Sequence, residues 1–275
     1  MRFGSLVHDG VAAWGVIEGD EIIIIDEYPT LLAAIASGKL ATIALQGGKR
    51  IAISAANWLP VIPNPGKILC VGLNYEKHRQ ETGRAVVANP TIFTRFADSQ
   101  TGHGKAIVLP PESESLDYEG ELAVIIGKAG RRIPAVDALA HVAGYSCYND
   151  GSIRDWQAHS IQFTPGKTWP ETGAFGPWMV TPDEFGALGS QRLQTRLNGQ
   201  VMQEATLAEM IFPVARIIEY VSTFTPLSPG DVIVSGTPGG VGVKRNPQVF
   251  MKPGDIVEVE IDGIGLLSNT IERRL

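Results

Sequence analysis

The sequence predicts an α+β fold that is predominantly β, in the form of a β-rich roll or distorted barrel with a few helices. Short apolar runs of strand length occur along the whole chain. Long strands do not alternate with long helices, which argues against a Rossmann or TIM architecture. Turn residues are plentiful, because the 275 residues include 31 glycines and 18 prolines. The hydrophobic fraction of 44% is ordinary for a globular protein with a sizeable core.

The first 60 residues are predicted to form a small N-terminal β-rich domain. Strands are expected at 2–7, 12–17 and 21–25, because Asp-Gly and Gly-Asp turns separate these runs. A short helical pattern follows at 31–35 and ends near Gly38. The segment 59–66 contains three prolines and no regular pattern, so residues 61–66 are predicted to be a linker.

Residues 67–275 are predicted to form a second, larger domain that is rich in strands. Strands are expected at 68–71, 91–96, 107–109, 121–126, 142–148, 177–180, 193–197, 231–235 and 256–261. Helical patterns lie at 75–81, 152–159 and 209–223.

Three acidic residues carry the most functional information. Glu119 and Glu121 lie two apart in a predicted strand, so their side chains point to one face, and Asp150 follows the next apolar run. Buried like charges repel, and a cation between them removes the conflict. An all-oxygen ligand set suits Mg²⁺ or Mn²⁺, with Ca²⁺ as a substitute, better than Zn²⁺. The alternative is a solvated acidic face, which the apolar run 122–126 argues against.

Charge and composition exclude several classes of partner. The formal net charge of −6 and the isoelectric point near 5.4 argue against nucleic acid and against an anionic membrane surface. No apolar run approaches the ~20 residues that span a bilayer. Cys70 and Cys147 lie in apolar runs and are expected to be buried free thiols. The N-terminal segment has no long apolar stretch, so we expect no signal peptide and a cytoplasmic location.

Two neighbouring side chains form a candidate general base. His78 and Glu81 are three residues apart in a helical pattern, so they can share one turn. A carboxylate orients an imidazole, and this arrangement is typical of a base that acts on water. A surface His–Glu pair is the alternative.

Further candidates follow Asp150. The spacing of Asp150, Arg154 and Gln157 predicts one helical face, on which Arg154 could hold a substrate carboxylate. A helix cap with a surface ion pair is the alternative. Lys167 could stabilise an oxyanion or enolate, although single loop lysines are usually solvated. The glycine-rich segment 235–242 matches no nucleotide-binding motif; it either presents N–H groups to an anion or forms a tight turn.

Together these segments resemble the fumarylacetoacetate hydrolase family, in order over most of residues 67–271. The matching motifs are Gly-Leu-Asn-Tyr with His78 and Glu81, Asp-Tyr-Glu-Gly-Glu-Leu-Ala-Val-Ile-Ile-Gly-Lys, Gly-Tyr-Ser-Cys-Tyr-Asn-Asp, Ser-Ile-Arg-Asp-Trp-Gln, Gly-Lys, Gly-Pro-Trp, Leu-Asn-Gly, Pro-Gly-Asp-Val-Ile-Val-Ser-Gly-Thr-Pro-Gly-Gly-Val-Gly and a final Pro-Gly-Asp. No single motif is decisive, but the ordered set is highly specific.

The resemblance implies a mixed β-sandwich roll for the catalytic domain, and a homodimer. It implies that three residues are ligands of a divalent metal: Glu119, Glu121 and Asp150. It also implies that His78 and Glu81 are the water-activating dyad and that Lys167 is the active-site lysine. The implied substrate contacts are Arg154, Gln157 and Thr237.

Three departures from the family pattern leave the substrate open. Gly151, Ser152 and Ile153 stand where a bulkier residue and then Ser-Ala-Arg are common. Thr168, Trp169 and Pro170 follow Lys167, where Ser or Gly and then Phe and Asp are frequent. Position 95 is arginine, where lysine is common.

The sequence therefore predicts a metal-dependent enzyme that hydrolyses a C–C bond in a small 2,4-dioxo acid of the acylpyruvate or fumarylpyruvate type. Ketonisation of a 2-hydroxydienedioate and decarboxylation of oxaloacetate are alternatives at the same site, because each reaction passes through an enolate. A non-catalytic protein that binds a small acid is the alternative of another class. The presence of both His78 and Glu81 favours the enzyme.

Overall fold

The computed structural model describes residues 1–43 and 48–274, so residues 44–47 of the predicted N-terminal domain and the last residue of the predicted catalytic domain lie outside the described residues. In chain order the strands are β1 (Arg2–His8), β2 (Val11–Glu18), β3 (Glu21–Ile24), β4 (Arg50–Ala52), β5 (Asn57–Trp58), β6 (Ile68–Gly72), β7 (Thr91–Arg95), β8 (Gln100–Thr101), β9 (Ile107–Leu109), β10 (Leu116–Asp117), β11 (Gly120–Ile126), β12 (Val142–Asp150), β13 (Ser152–Ile153), β14 (Gly173–Val180), β15 (Arg192–Leu197), β16 (Gln200–Thr206), β17 (Val232–Val234), β18 (Ile256–Ile261) and β19 (Gly265–Arg273).

Helices are fewer and mostly short. In the described parts of the chain they are α1 (Leu31–Ser37), α2 (Glu76–Thr82), α3 (Ala135–Ala138), α4 (Arg154–Gln157), α5 (Thr164–Lys167), α6 (Pro182–Phe185) and α7 (Val214–Phe224). Short 3₁₀ helices lie at Leu40–Thr42, Ile53–Ala55, Ala97–Ser99, Leu139–His141, Leu207–Glu209 and Gly242–Lys244. The predominance of strands in mixed sheets confirms the predicted fold class.

Most of the strands form one large mixed sheet. Its order is β4-β3-β2-β1-β14-β12-β11-β17-β6-β7, with β5 paired to β1 and β8 paired to β14. The pairs β17–β6 and β14–β8 are parallel, whereas β11 and β12 pair antiparallel. A five-stranded sheet of order β16-β15-β18-β19-β9 packs against it, and β10 pairs with β13.

The central strand β11 is buried on both faces. Leu122 and Val124 pack into the core that includes residues of the five-stranded sheet. Ala123 and Ile125 pack into a second core with residues of β1, β2, β3 and α1. Side chains alternate along a strand, so burial on two faces requires a continuous apolar run such as 122–126. The acidic residues that precede this run lie at one end of a doubly covered strand.

The strands of the predicted N-terminal domain join the large sheet. β1 pairs with β14 through Arg2 with Val180 and Phe3 with Met179. Val61, which lies in the predicted linker, is completely buried, and its carbonyl oxygen accepts the Ser5 hydroxyl at 2.8 Å. The division of the chain into two domains stays a prediction.

Two predicted helices are shorter than their sequence patterns. The helix predicted at 152–159 covers only α4, because Ser152–Ile153 forms β13 and pairs with β10. The helix predicted at 209–223 begins at Val214, because Pro213 has no N–H group and disfavours helical backbone in the residue before it. Met210 instead forms a β-bridge with Tyr75. In both places, residues that local spacing predicted to be helical pair instead with a backbone segment that is distant in the sequence.

Cys70 and Cys147 are buried free thiols, as predicted. None of the helices in residues 1–43 and 48–274 is long and apolar enough to cross a membrane.

Candidate metal centre and proton-transfer dyad

Three carboxylates meet at the end of the β11–β12 pair. Gly120 lies opposite Asn149, so the next residues, Glu119 and Asp150, are neighbours, and the Asp150 N–H donates to the Glu119 carbonyl oxygen at 2.8 Å. Glu119 lies just before β11 rather than within it. Its position therefore depends on the pairing of β11 with β12 as well as on the alternation of side chains along β11. Oxygen atoms of Glu119, Glu121 and Asp150 lie within 4.8 Å of one another, and all three residues are buried. The structure thus brings the three predicted ligands together.

The two glutamates have opposite electrostatic surroundings. Burial, together with the negative charges of Asp150 and Glu119, raises the pKa of Glu121 well above its ordinary value. Burial acts in the same direction on Glu119, but Arg154 and Lys167 outweigh it and lower that pKa. Within the described residues Glu121 accepts the Gly236 N–H and forms no ion pair. A divalent cation would neutralise it, and the oxygen-only donor set suits Mg²⁺ or Mn²⁺.

Lys167 lies between two of the three carboxylates. Its Nζ is 2.5 Å from Oε2 of Glu119 and 2.6 Å from Oδ2 of Asp150. Burial acts to lower the pKa of Lys167, but these two negative charges outweigh it and raise the pKa. The ring of Phe93 covers the ammonium group at 5.0 Å. The lysine is almost completely buried at the end of α5, so the alternative of a solvated loop lysine is wrong.

The close approach of α5 to α4 depends on a glycine. A Cβ atom at Gly166 would lie 2.4 Å from Cβ of Gln157, well inside contact distance. Gly166 therefore lets the helix that carries Lys167 pack directly on the helix that carries Arg154 and Gln157.

Arg95 holds Asp150 on the side opposite Lys167. Its Nη1 lies 2.6 Å from Oδ1 of Asp150 and 3.0 Å from the Gly151 carbonyl oxygen, and Nη2 donates to Thr172 Oγ1 at 2.7 Å. Nε donates to Ser99 Oγ at 3.2 Å. The sequence marks position 95 only as a departure from the family pattern, and its contact with a predicted ligand was not foreseen.

The predicted shared helical face of Asp150, Arg154 and Gln157 is wrong in part. Asp150 ends β12, and β13 separates it from α4. Arg154 and Gln157 do lie together, with Nη1 donating to Oε1 at 2.9 Å. Arg154 pairs with Glu119 at 2.7 Å and with Asp117 at 2.8 Å rather than with Asp150. Arg154 is thus tied to the carboxylate cluster through Glu119.

The predicted dyad forms as one turn of α2. His78 Nδ1 lies 2.7 Å from Oε1 of Glu81, and His78 is buried. Oε2 of Glu81 accepts the Gly240 N–H at 2.9 Å. When Nδ1 donates to this carboxylate, Nε2 is left as the acceptor nitrogen. The glycine-rich segment links the dyad to the cluster, because Gly240 donates to Glu81 and Gly236 donates to Glu121.

The glycine-rich segment binds carboxylates of the protein itself. The N–H groups of Gly236, Gly240 and Gly242 donate to Glu121, Glu81 and Asp117 respectively. Gly236 and Gly240 both have φ of 104°, which favours glycine and agrees with the tight-turn alternative. The binding of a separate anion stays a prediction. The segment thus fixes carboxylates that belong to three separate elements, β11, α2 and β10.

The hydroxyl group of Thr237 is engaged by the protein. It donates to the Gly120 carbonyl oxygen at 3.0 Å and accepts Nε2 of Gln203 at 2.7 Å. Gln203 also accepts the Gly120 N–H at 3.0 Å, and it is buried on β16. No sequence signal pointed to Gln203. For Asp117 the only sequence signal was its position as a further acid in the motif that contains Glu119 and Glu121.

Comparison with known proteins identifies relatives across the length of the chain. A family model described as "Fumarylacetoacetate (FAA) hydrolase C-terminal" matches residues 67–272. A Bos taurus protein named "Oxaloacetate tautomerase FAHD2A, mitochondrial" is 43% identical over 220 residues, which are 79% of this chain and 70% of that protein.

Two solved structures have the same fold over their full length. Fumarylacetoacetate hydrolase from Exiguobacterium antarcticum gives a TM-score of 0.91 at 35% identity and covers 100% of both chains. The 5-carboxymethyl-2-hydroxymuconate delta-isomerase from Mycobacterium smegmatis gives a TM-score of 0.84 at 30% identity, again over 100% of both chains.

Proposed function

The chain belongs to the fumarylacetoacetate hydrolase family, and we propose that it is a divalent-metal-dependent enzyme that interconverts the keto and enol forms of a small 2-oxo acid such as oxaloacetate. The observation that carries this proposal is the contact between buried His78 and half-buried Glu81. The glycine-rich segment that holds Glu81 also holds Glu121 of the three clustered carboxylates. A site that only bound an acid would have no use for an oriented base. The 43% identical relative bears the name of an oxaloacetate tautomerase, which supports the choice of reaction.

Glu119, Glu121 and Asp150 would hold Mg²⁺ or Mn²⁺, with Ca²⁺ as a substitute. When bound, the cation would polarise the 2-oxo group as a Lewis acid and so acidify the neighbouring C–H bond. The raised pKa of Glu121, which follows from burial and from its two acidic neighbours, supports this assignment.

Arg154 and Lys167 would bind and stabilise the anionic substrate. Arg154 reaches the cluster through Glu119, and Gln157 holds its Nη1. Lys167 is a buried cation that contacts both Glu119 and Asp150, and it would stabilise negative charge on the enolate oxygen. The contact between Thr237 and the substrate also stays a proposal. In this structure the Thr237 hydroxyl already donates to the Gly120 carbonyl oxygen.

His78 would move the proton. Glu81 fixes the ring through Nδ1, so Nε2 takes a proton from the carbon next to the 2-oxo group. The C–H electron pair becomes the C=C bond of the enolate. His78 then returns the proton from Nε2 to the enolate oxygen to give the enol, and the reverse sequence restores the keto acid. The C=O π pair moves onto the oxygen, and no C–C bond is broken.

Hydrolysis of a 2,4-dioxo acid is the second candidate, and the same dyad favours it. His78 could take the proton of a water molecule, whose oxygen then attacks the distal carbonyl carbon and releases the enolate of the 2-oxo acid. The solved relative from Exiguobacterium antarcticum is named a hydrolase, whereas the one from Mycobacterium smegmatis is named an isomerase. Ketonisation of a 2-hydroxydienedioate and decarboxylation of oxaloacetate remain further alternatives.

Parallel assays separate these reactions. We expect purified protein with Mg²⁺ or Mn²⁺ to accelerate the decay of the ultraviolet absorbance of enol-oxaloacetate without releasing CO₂. Loss of acylpyruvate absorbance would identify a hydrolase, and CO₂ release would identify a decarboxylase. Tight binding of these acids without turnover of any of them would contradict the proposal and favour a binding protein.

The assembly and the location of the protein are also proposals. We propose a homodimer formed through the larger domain and a cytoplasmic location. Light scattering that gave the mass of one 29.5 kDa chain at working concentration would contradict the dimer.

A further inference from the structure

We propose that Asp117 is a positioning residue that holds the Arg154 guanidinium group in the orientation that binds a substrate carboxylate. The inference rests on the proposed function, because it takes Arg154 as the carboxylate-binding residue. Asp117 belongs to the same acidic motif as Glu119 and Glu121, yet it is not one of the three clustered carboxylates.

Asp117 is completely buried, and strong donors surround it. Oδ2 accepts Nε of Arg154 at 2.8 Å and the Val243 N–H at 3.0 Å. Oδ1 accepts the Gly242 N–H at 2.8 Å and the Tyr118 N–H at 2.9 Å. A buried carboxylate with this many donors has a fixed orientation. Asp117 therefore joins α4, which carries Arg154, to the end of the glycine-rich segment.

The remaining donors of Arg154 match a carboxylate. Arginine has five N–H donors. Within the described residues Nε donates to Asp117, Nη1 to Gln157 and Nη2 to Glu119. One N–H then remains on each of Nη1 and Nη2, which is the number that two parallel hydrogen bonds to a carboxylate require. The contact at Nε fixes the plane of the group, so it decides where those two N–H groups point.

Substitution of Asp117 by asparagine should disturb this plane. An amide has one acceptor oxygen, so its NH₂ group would face either the Nε–H of Arg154 and the N–H of Val243, or the N–H groups of Gly242 and Tyr118. We expect Asp117→Asn to weaken the binding of pyruvate to the Mg²⁺-loaded enzyme at least tenfold in calorimetric titrations. Pyruvate is a suitable probe because it has neither a second carbonyl group to attack nor a second carboxylate to lose.

Asp155→Asn is the matched control. Asp155 lies next to Arg154 in α4, but it is exposed, and its side chain accepts the Ser113 hydroxyl. Its substitution should leave pyruvate affinity unchanged. Mn²⁺ affinity, measured without pyruvate, should stay within a few-fold of wild type in both variants. An equal loss of pyruvate and Mn²⁺ affinity in Asp117→Asn would overturn the inference, because a general collapse of the site would explain it.

A double-mutant cycle tests whether Asp117 acts through Arg154. In an Arg154→Gln background, Asp117→Asn should have little further effect on pyruvate affinity. A further tenfold loss in that background would overturn the inference. Should Asp117→Asn fail to fold, Arg154→Lys serves instead: it keeps the charge and leaves Asp117 in place, but it lacks the planar fork. Wild-type affinity in Arg154→Lys would overturn the inference as well.

The outcomes also separate this inference from the proposed function. Failure of the wild-type enzyme with Mg²⁺ to bind pyruvate would overturn both. Binding by the wild type that is matched by Asp117→Asn would overturn the role of Asp117 alone.

Discussion

The main-chain N–H of Gly240 donates to Oε2 of Glu81 at 2.9 Å, across 159 residues of sequence. Glu81 in turn orients His78 through its other oxygen. The candidate base is therefore fixed from two sides, by its own helix turn and by the glycine-rich segment. Because neither residue is among the clustered carboxylates, substitutions in the dyad should affect proton transfer separately from metal binding.

His78→Ala should lower kcat for the tautomerisation of oxaloacetate by about 10²–10⁴-fold, the usual contribution of a general base. Mn²⁺ affinity should remain close to that of wild type, since the ligands are untouched. The control is His141→Ala, whose Nδ1 contacts the Lys128 carbonyl oxygen outside the site. An unchanged kcat in His78→Ala would show that another group moves the proton.

Mg²⁺ or Mn²⁺ should raise the melting temperature of the wild-type protein, because an ion that binds the folded state stabilises it. At a concentration of 100 times Kd the gain in the free energy of unfolding is about 2.7 kcal/mol. Glu121→Gln should abolish this gain. Without metal the same variant should be at least as stable as wild type, because burial and the charges of Asp150 and Glu119 disfavour the ionised Glu121.

Thermal unfolding with and without metal measures both effects. Glu112→Gln, which changes an exposed glutamate, is the control. A normal metal-dependent rise of the melting temperature in Glu121→Gln would contradict the assignment of Glu121 as a ligand.

Arg95→Lys should weaken Mn²⁺ binding by about 10–100-fold, the usual cost of losing a residue that orients a ligand. Lysine keeps the charge but cannot contact Asp150, Gly151 and Thr172 with one rigid fork. Free Mn²⁺ can be followed by electron paramagnetic resonance. The control is Arg196→Lys, which changes an arginine paired with two carboxylates on the five-stranded sheet. Equal Mn²⁺ affinities for wild type and Arg95→Lys would show that charge alone suffices at position 95.

The stability of the protein should fall as the pH decreases below about 6.5, in part because of His103. Burial lowers the pKa of His103 below its ordinary value of 6.5. The unfolded chain then binds a proton more readily than the folded chain, so this contribution is lost between pH 6.5 and the lower pKa of the folded state. In His103→Gln the decline in the free energy of unfolding from about pH 7.5 to about pH 5.5 should be smaller. Denaturant titrations measure the free energy of unfolding at each pH. The same dependence on pH in wild type and His103→Gln would contradict this role of His103.

Much of the fold followed from local patterns. The apolar run 122–126 predicted a buried strand, and the spacing of His78 and Glu81 predicted their contact on one helical turn. The helix predicted at 152–159 failed because Ser152–Ile153 pairs with β10, a partner that periodicity cannot reveal. The ordered motifs identified the family, which the comparisons confirm.

The sequence by itself determined which acids and bases this chain carries and which of them lie within a turn or a strand step of each other. Only the tertiary structure decided the partners of each group. Arg154 binds Asp117, 37 residues away, rather than Asp150, four residues away, because β13 separates α4 from the end of β12. Glu119 and Asp150 meet because β11 and β12 pair in one register. Such contacts depend on strand pairing and loop packing across the whole core, and residue spacing along the chain does not predict them.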